Sequence, residues 1–381
     1  MLKRYNLLFF VIALLLGLSC EKEDDQFDYE IPVSYNFENV NYSGQTQRLS
    51  MLFELKSYMS TAQTSGVVLD ANQMKAMYAN DASNANWQGT YEASKQLKGK
   101  TFENQQMVFE ALIDELAMAS QSTVQGSEGV SGVIESLDCA KKYLIGEDVL
   151  DHAQLIEKGL MGACFYYQAT AVYMGEDRMN VDNETVEPGE GTRMEHHWDE
   201  AFGYYGVPKD FPANKDGILF WGSYSDKRDA VLGSNQKLMT AFLKGRAAIS
   251  NKDLTTRDEA INEARDEWEL IAVGSALHYL NESIENFEDR ALLSHGLSEG
   301  IGFVYSLQFN PSKRITNAQV GELLTLMGGA AKFSEMNLYT VTKENLQTLV
   351  NTFRESSAEL TSATIAKNEF VQDLYDQFSI G

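Results

Sequence analysis

Two adjacent histidines in the segment 192–206 (TRMEHHWDEAFGYYG) are the first candidates for chemistry in this sequence. The chain has 5 His among 381 residues, and this segment places His196 and His197 close to Glu200. If the segment is a helix, His197 and Glu200 share one border of its apolar face, and His196 reaches Glu200 at i+4. An imidazole and a carboxylate facing one groove can share a proton, hold a metal ion or hydrogen-bond to each other.

A second histidine–glutamate pair lies in the segment 291–309 (ALLSHGLSEGIGFVYSLQF), which is apolar almost all round and predicts a buried helix. His295 and Glu299 are four residues apart and share one arc of that helix. A buried carboxylate without a partner costs several kcal/mol or stays protonated, so Glu299 needs a partner. The same helix contains three glycines, Gly296, Gly300 and Gly302. Since each costs about 1 kcal/mol of helix propensity relative to Ala, they predict that another backbone or a ligand comes close.

The two pairs together predict one polar pocket inside a helical bundle. If the two helices face each other, the pocket is lined by His197, Glu200, His295 and Glu299. Two imidazoles and two carboxylates on facing helices suit iron or zinc. The alternatives are a hydrogen-bonded network that only stabilises helix packing, and general acid–base catalysis. Motifs of several enzyme classes are missing from the sequence: HExxH, the P-loop and GxGxxG after a strand.

Helices are the elements that must position these residues. Only 5 Pro and long 3.6-residue periodicities predict an almost wholly α-helical body. Thr192 and Glu195 form a capping box, which predicts that the first histidine helix starts there and runs to about residue 205. Further helices are predicted from residue 45 onward and at about 70–79, 90–97, 101–119, 148–174, 226–249, 255–287, 289–309, 316–328 and 343–376. Two polar linkers, at 120–132 and 175–191, predict a boundary between two bundles near 120–191.

The N-terminus predicts export and lipid anchoring. Basic residues precede the apolar run 7–16, and small residues then lead to Cys20, which is the pattern of a signal peptide over 1–19 with a lipidated cysteine after it. The acidic stretch that follows is typical of lipoproteins carried to the outer face of the outer membrane, so residues 20–34 are interpreted as a tether. The outer membrane, reached through the lipid anchor, is therefore the expected location.

The net charge of the chain indicates which kinds of partner it can bind. The chain has 55 acidic and 31 basic residues, for a formal charge of −24, which disfavours nucleic acid and is compatible with cations or simply with a soluble surface. With Cys20 used for the anchor, Cys139 and Cys164 remain, either as a disulfide or as free thiols.

Four segments of the chain resemble an uncharacterised family of Bacteroidetes lipoproteins. They are 157–169 (EKGLMGACFYYQA), 195–206 (EHHWDEAFGYYG), 218–249 and 293–307 (LSHGLSEGIGFVYSL). That family is similar to the imelysins, which are iron-regulated surface proteins that resemble insulin-cleaving proteases. The resemblance covers roughly residues 35–376.

The resemblance implies an all-α fold, with an imelysin-like pair of helical-bundle subdomains, and a Gly-x-His-x-x-Glu motif. His197 and Glu200 match the His-x-x-Glu part, whereas Glu195 stands at the glycine position. It also implies a role in iron acquisition, for which a TonB-dependent receptor would be the partner.

Three functional hypotheses follow. The first is a cell-surface protein that binds iron, another metal or haem at His197, Glu200, His295 and Glu299. The second is a metal-dependent hydrolase, an imelysin-like peptidase, with Glu200 or Glu299 as the general base. The third is a structural or partner-binding lipoprotein whose His–Glu pairs only hold helices together.

Overall fold

The structure is a computed structural model, and it describes residues 28–350 of the chain. The predicted signal peptide, Cys20 and the part of the last predicted helix beyond residue 350 lie outside the described residues. The fold is all-α, as predicted, with one small antiparallel sheet. No helix among residues 28–350 is both long and apolar enough to cross a membrane.

The described chain alternates long helices with short 3-10 turns. The α-helices are α1 (Ser43–Ser60), α2 (Ala71–Ala79), α3 (Gln106–Ala119), α4 (His152–Leu160), α5 (Glu176–Met179), α6 (Arg193–Gly203), α7 (Trp221–Leu232), α8 (Ser234–Ser250), α9 (Leu254–Glu285), α10 (Arg290–Ser306) and α11 (Asn317–Gly328). Residues 343–350 are also helical. The strands are β1 (Gly132–Glu135) and β2 (Lys142–Ile145), paired from Gly132↔Ile145 to Glu135↔Lys142. The 3-10 turns are Thr61–Gln63, Lys98–Lys100, Glu103–Gln105, Leu307–Phe309, Phe333–Glu335 and Leu338–Thr340.

Most of the predicted helices are confirmed, but the one at 90–97 is wrong. Its backbone is held in a loop by side chains from elsewhere: Asn80 Nδ2 donates to the carbonyls of Glu92 and Lys95 at 2.9 and 2.6 Å, and Arg48 Nε donates to the carbonyl of Gln96 at 3.0 Å. Since these carbonyls are satisfied without a helix, the local preference is overridden.

Two predicted helices are interrupted. The predicted helix 148–174 begins as α4 and continues as π-helical turns at Met161–Tyr166 and Gln168–Tyr173. The predicted helix 226–249 is divided by Gly233, whose φ of 61° lies in the left-handed region, into α7 and α8.

Helix α10 is buried almost throughout and packs against α4 and α9. Its glycines allow this packing, because a Cβ on Gly302 would lie 2.4 Å from the Cβ of Lys158 on α4. On Gly296 the nearest atom would be Ser283 Oγ at 3.0 Å, and on Gly300 Met327 Cε at 3.0 Å. The glycine-rich pattern therefore reflects the close approach of neighbouring helices.

The buried apolar side chains of the described chain form one continuous core. The N-terminal arm joins it through Tyr35, which is buried, stacks on Phe202 with ring centres 3.8 Å apart, and donates a 2.8 Å hydrogen bond to Asp199 on α6. Asp199 also pairs with Arg246 on α8 at 2.9 Å, so the arm, α6 and α8 share one buried ion pair. Cys164 is buried and Cys139 is exposed; both are free thiols, which decides the disulfide question left open above.

Candidate functional site

The first histidine pair lies on α6, where the sequence placed it. The capping box of Thr192 and Glu195 is present in both directions and begins the helix. His197 Nδ1 lies 3.3 Å from Glu200 Oε2, and His196 Nε2 lies 3.7 Å from the same oxygen. His197 Nε2 is buried and has no hydrogen-bond partner within the described residues.

Glu200 is held by more than the two histidines. Its Oε1 accepts hydrogen bonds from Gln45 Nε2 at 2.9 Å and from Tyr173 at 3.0 Å. Burial disfavours the carboxylate, but the hydrogen bonds from His197 and Gln45, together with nearby His196, outweigh burial and lower the pKa of Glu200 to about 2. Glu200 is therefore a carboxylate at neutral pH whose lone pairs are largely satisfied.

Glu299 on α10 does have a partner, but it is a lysine. Lys158 Nζ lies 2.8 Å from Glu299 Oε1 and 3.0 Å from Glu157 Oε1, and the side chains of all three residues are at most 8% exposed. Lys56, on α1, pairs with Glu157 at 2.8 Å from the more exposed side. Burial opposes both charges, yet the two carboxylates raise the pKa of Lys158, and Lys158 followed by His295 lowers the pKa of Glu299 to about 2.

His295 has a different carboxylate partner from the one the spacing suggested. Its Nδ1 lies 2.9 Å from Oδ2 of Asp151, which caps the start of α4. Its ring stacks on Tyr143 of β2, with centres 3.9 Å apart and an interplanar angle of 15°. The hairpin, which the sequence analysis did not predict, thus covers one face of this imidazole.

The two predicted pairs have different ion-pair and hydrogen-bond partners. Within the described chain, His197 and Glu200 share no hydrogen bond or ion pair with His295 or Glu299. Among the described residues no group of three or more His, Cys, Asp or Glu is arranged so that it could hold a metal ion. The side chains as they stand do not fit the predicted four-ligand set.

A cationic group beside Glu299 was missed by the sequence analysis. Lys158 and Lys227 lie over the ring of Tyr224, 5.4 and 4.7 Å from its centre. The Tyr224 hydroxyl is 3.4 Å from both Glu299 Oε1 and the hydroxyl of Tyr279. We call these residues, together with Arg228, the Arg228 cluster: Lys158, Tyr224, Lys227, Arg228, Tyr279 and Glu299. A lysine inside the apolar run 153–166 was the signal that could have pointed to it.

Arg228 is the least compensated member of this cluster. It is 7% exposed, and its Nε is buried without an acceptor within residues 28–350. Burial lowers the pKa of Arg228, although a guanidinium remains charged at any physiological pH. The neighbouring His278 lies in the same positive field. Burial and then the charge of Arg228 lower the pKa of His278 to about 4.

The fold and these clusters define an all-α protein with buried charges between its helices. Residues 32–356 match the family described as a domain of unknown function, DUF4856. This match covers well over half of the 381 residues, so the chain belongs to that family. Neither the curated proteins nor the solved structures contain a match to this chain.

Proposed function

We propose that this protein is an exported, lipid-anchored binding protein whose ligand carries an anionic group and binds at the Arg228 cluster. The observation that supports this best is Arg228 itself, a buried cation whose Nε has no acceptor in the described chain. A buried N–H donor without an acceptor costs about 1–3 kcal/mol. An anionic group of a ligand would remove that cost by accepting hydrogen bonds from the guanidinium in a planar, two-point geometry.

The surrounding charges support the same choice of ligand. The chain as a whole has a net charge of −24, which repels small anions at long range. Yet four cations gather near Tyr224: Lys56, Lys158, Lys227 and Arg228. Three carboxylates face them: Glu157, Glu282 and Glu299. Lys227, whose ammonium lies over the ring of Tyr224, is exposed.

We also propose a role in iron acquisition at the cell surface, in which the ligand carries the iron and the protein binds the ligand's anionic group. It rests on the resemblance to imelysin-like proteins and on the N-terminal pattern that ends at Cys20. An anionic iron chelate, or the carboxylates of haem, would bring iron to the Arg228 cluster without a protein ligand on the metal. Delivery to a TonB-dependent receptor would be the next step of such a role.

Direct metal binding is the second candidate, and one observation favours it on α6. The Nε2 of His197 is buried without a hydrogen-bond partner in the described residues, and its lone pair could coordinate a metal ion next to the ionised Glu200. The peptidase alternative is less well supported, because a carboxylate with a pKa of about 2 is a weak general base at neutral pH.

Thermal unfolding of the mature protein tests the anion proposal. Sulfate, phosphate and citrate are each titrated at constant ionic strength with chloride as the reference. A ligand at roughly 100 times its Kd stabilises the native state by about 2.7 kcal/mol, so a saturable rise in Tm is expected for at least one anion. Arg228→Met should abolish the rise. Arg314→Met, which removes an arginine paired with Asp266 elsewhere, should preserve it.

No saturable rise with any of the three anions, or a rise that survives Arg228→Met, would contradict the proposal. Elemental analysis after loading with Fe and Zn tests direct metal binding, the second candidate. Stoichiometric metal that is lost in Glu200→Gln but kept in Glu299→Gln would place an ion on α6 instead.

A further inference from the structure

We propose that a groove between α3 and α11 is a further binding site, and that its ligand is an organic cation, a protonated amine on an apolar body. The groove holds a cavity of about 540 Å³. Sites that bury most of a small molecule are typically clefts of roughly 300–1,000 Å³ with an apolar lining and a few polar groups. The groove shares no lining residue with the Arg228 cluster, so this inference does not depend on the proposed function.

Two helices contribute most of the described lining of the groove. Each turns one face towards the cavity, because the lining residues recur at intervals of three or four along the chain. They include Val108, Leu112 and Glu115 on α3 and Asn317, Val320 and Leu324 on α11. The groove therefore follows the length of two helix faces, which suits an elongated apolar ligand.

The buried part of the lining is apolar and partly aromatic. Leu112, Tyr305, Val320, Leu324 and Phe333 line the cavity and are each at most 6% exposed. The rings of Tyr305 and Phe333 pack together, with centres 4.6 Å apart. Transfer of an apolar body from water to such a lining is favourable, and aromatic rings also attract cations.

Glu115 gives the groove a negative charge. The side chain of Glu115 is 35% exposed, and its Oε2 lies 3.5 Å from Nε2 of His152. The same nitrogen lies closer, at 3.2 Å, to Oδ2 of Asp148, so two carboxylates share one imidazole. Burial raises the pKa of Glu115, and so do Asp148 and Asp114, although His152 lowers it. A further positive charge beside Glu115 would stabilise its carboxylate.

The other charges favour the same class of ligand. Within residues 28–350, Lys332 is the one other charged residue of the lining, and it pairs with Glu335 at 3.0 Å. The positive charge of Lys332 is therefore compensated by its neighbour. The net charge of −24 attracts cations to the molecule at long range. Charge and an aromatic lining together favour an organic cation over a neutral or anionic ligand.

A matched pair of ligands tests the inference. We compare 1-naphthylmethylamine, which is protonated at neutral pH, with 1-naphthalenemethanol, its uncharged counterpart of similar shape. Calorimetric titration of the mature protein measures both affinities. The wild type should bind the amine roughly 3- to 10-fold more tightly, as for a charge pair at a partly exposed carboxylate.

Three variants assign the preference and the binding to the groove. Glu115→Gln should reduce the affinity for the amine to that for the alcohol and leave the alcohol unaffected. Glu322→Gln is the matched control, since Glu322 is an exposed carboxylate on α11 outside the lining, and it should keep the preference. Ala111→Trp places a ring at the exposed rim of the groove and should weaken binding of both ligands. Far-UV circular dichroism checks that each variant is folded.

Four results would overturn the inference. Two concern the wild type, namely no binding of either ligand, or equal affinity for the amine and the alcohol. The third is a preference for the amine that persists in Glu115→Gln. The fourth is binding that Ala111→Trp leaves unchanged, since the ligands would then occupy another part of the molecule.

Discussion

At the scale of single residues, Glu299 is a buried carboxylate whose charge is balanced by Lys158. A carboxylate in a segment that is apolar all round had to have a partner, and it has one. The expected partners were a histidine and a metal ion, whereas the structure provides Lys158 at 2.8 Å and Tyr224 at 3.4 Å. The need for a partner follows from the cost of burying a charge. The identity of the partner depends on which helix lies opposite.

Loss of Lys158 should therefore be severe. Lys158→Met leaves Glu157 and Glu299 buried together without their shared cation, and we expect a loss of about 3–5 kcal/mol in the free energy of unfolding. Urea denaturation measures it. The matched control is Lys75→Met, since Lys75 pairs with Asp114 at 2.6 Å at the surface and should cost at most about 1 kcal/mol. Similar losses in the two variants would mean that the ion pairs of Lys158 with Glu157 and Glu299 are well hydrated.

At the scale of elements, the packing of α10 explains its composition. Glycine is a poor helix former, and three glycines in one buried helix indicated a close neighbour. The neighbours are side chains and backbone of α4, α9 and α11. The hairpin of β1 and β2 and the loop at 90–97 were not predicted, and the loop is held by the side chains of Arg48 and Asn80.

Two glycine substitutions should therefore have opposite effects. Gly302→Ala places a methyl group 2.4 Å from Lys158 Cβ, so α4 and α10 must separate, and we expect a loss of about 1–3 kcal/mol. Gly321→Ala on α11 meets nothing closer than 3.7 Å and should be neutral or stabilising by up to about 1 kcal/mol. Thermal unfolding of both variants measures the difference. A stable Gly302→Ala protein would show that the crossing of α4 and α10 can relax.

At the scale of the whole molecule, two buried carboxylates make stability depend on pH. Glu200 and Glu299 both have a pKa of about 2 in the folded protein, below the ordinary value of 4.5. Because the folded-state pKa is lowered, each contributes stability that is fully present above about pH 4.5 and is lost as the pH falls towards 2.

The free energy of unfolding should consequently fall steeply between pH 5 and pH 2, by on the order of 3 kcal/mol for each of these groups. Glu299→Gln should reduce that slope, in addition to any constant loss of stability. Glu335→Gln, which removes a carboxylate of an exposed pair with Lys332, should leave the slope unchanged. Urea denaturation at half-unit pH steps measures it. Parallel curves for the wild type and Glu299→Gln would contradict the buried ionised state of Glu299.

The sequence by itself determined most of the helices and their faces. Helical periodicity, the capping box at Thr192 and the burial of α10 all depend on residues within one turn or one helix of each other, and such local patterns can be recognised in the chain. The pairing of His197 with Glu200 belongs to the same class, since it lies within α6.

Only the tertiary structure decided which helices face each other, and with them the chemistry of the site. Glu299 meets Lys158 rather than His197, His295 meets Asp151 rather than Glu299, and Arg228 is buried with its Nε unpartnered within residues 28–350. These partners are brought together by the packing of distant helices around one core. Helical periodicity sets the face of a residue but not the helix that lies opposite it, so the local pattern could not name the partner.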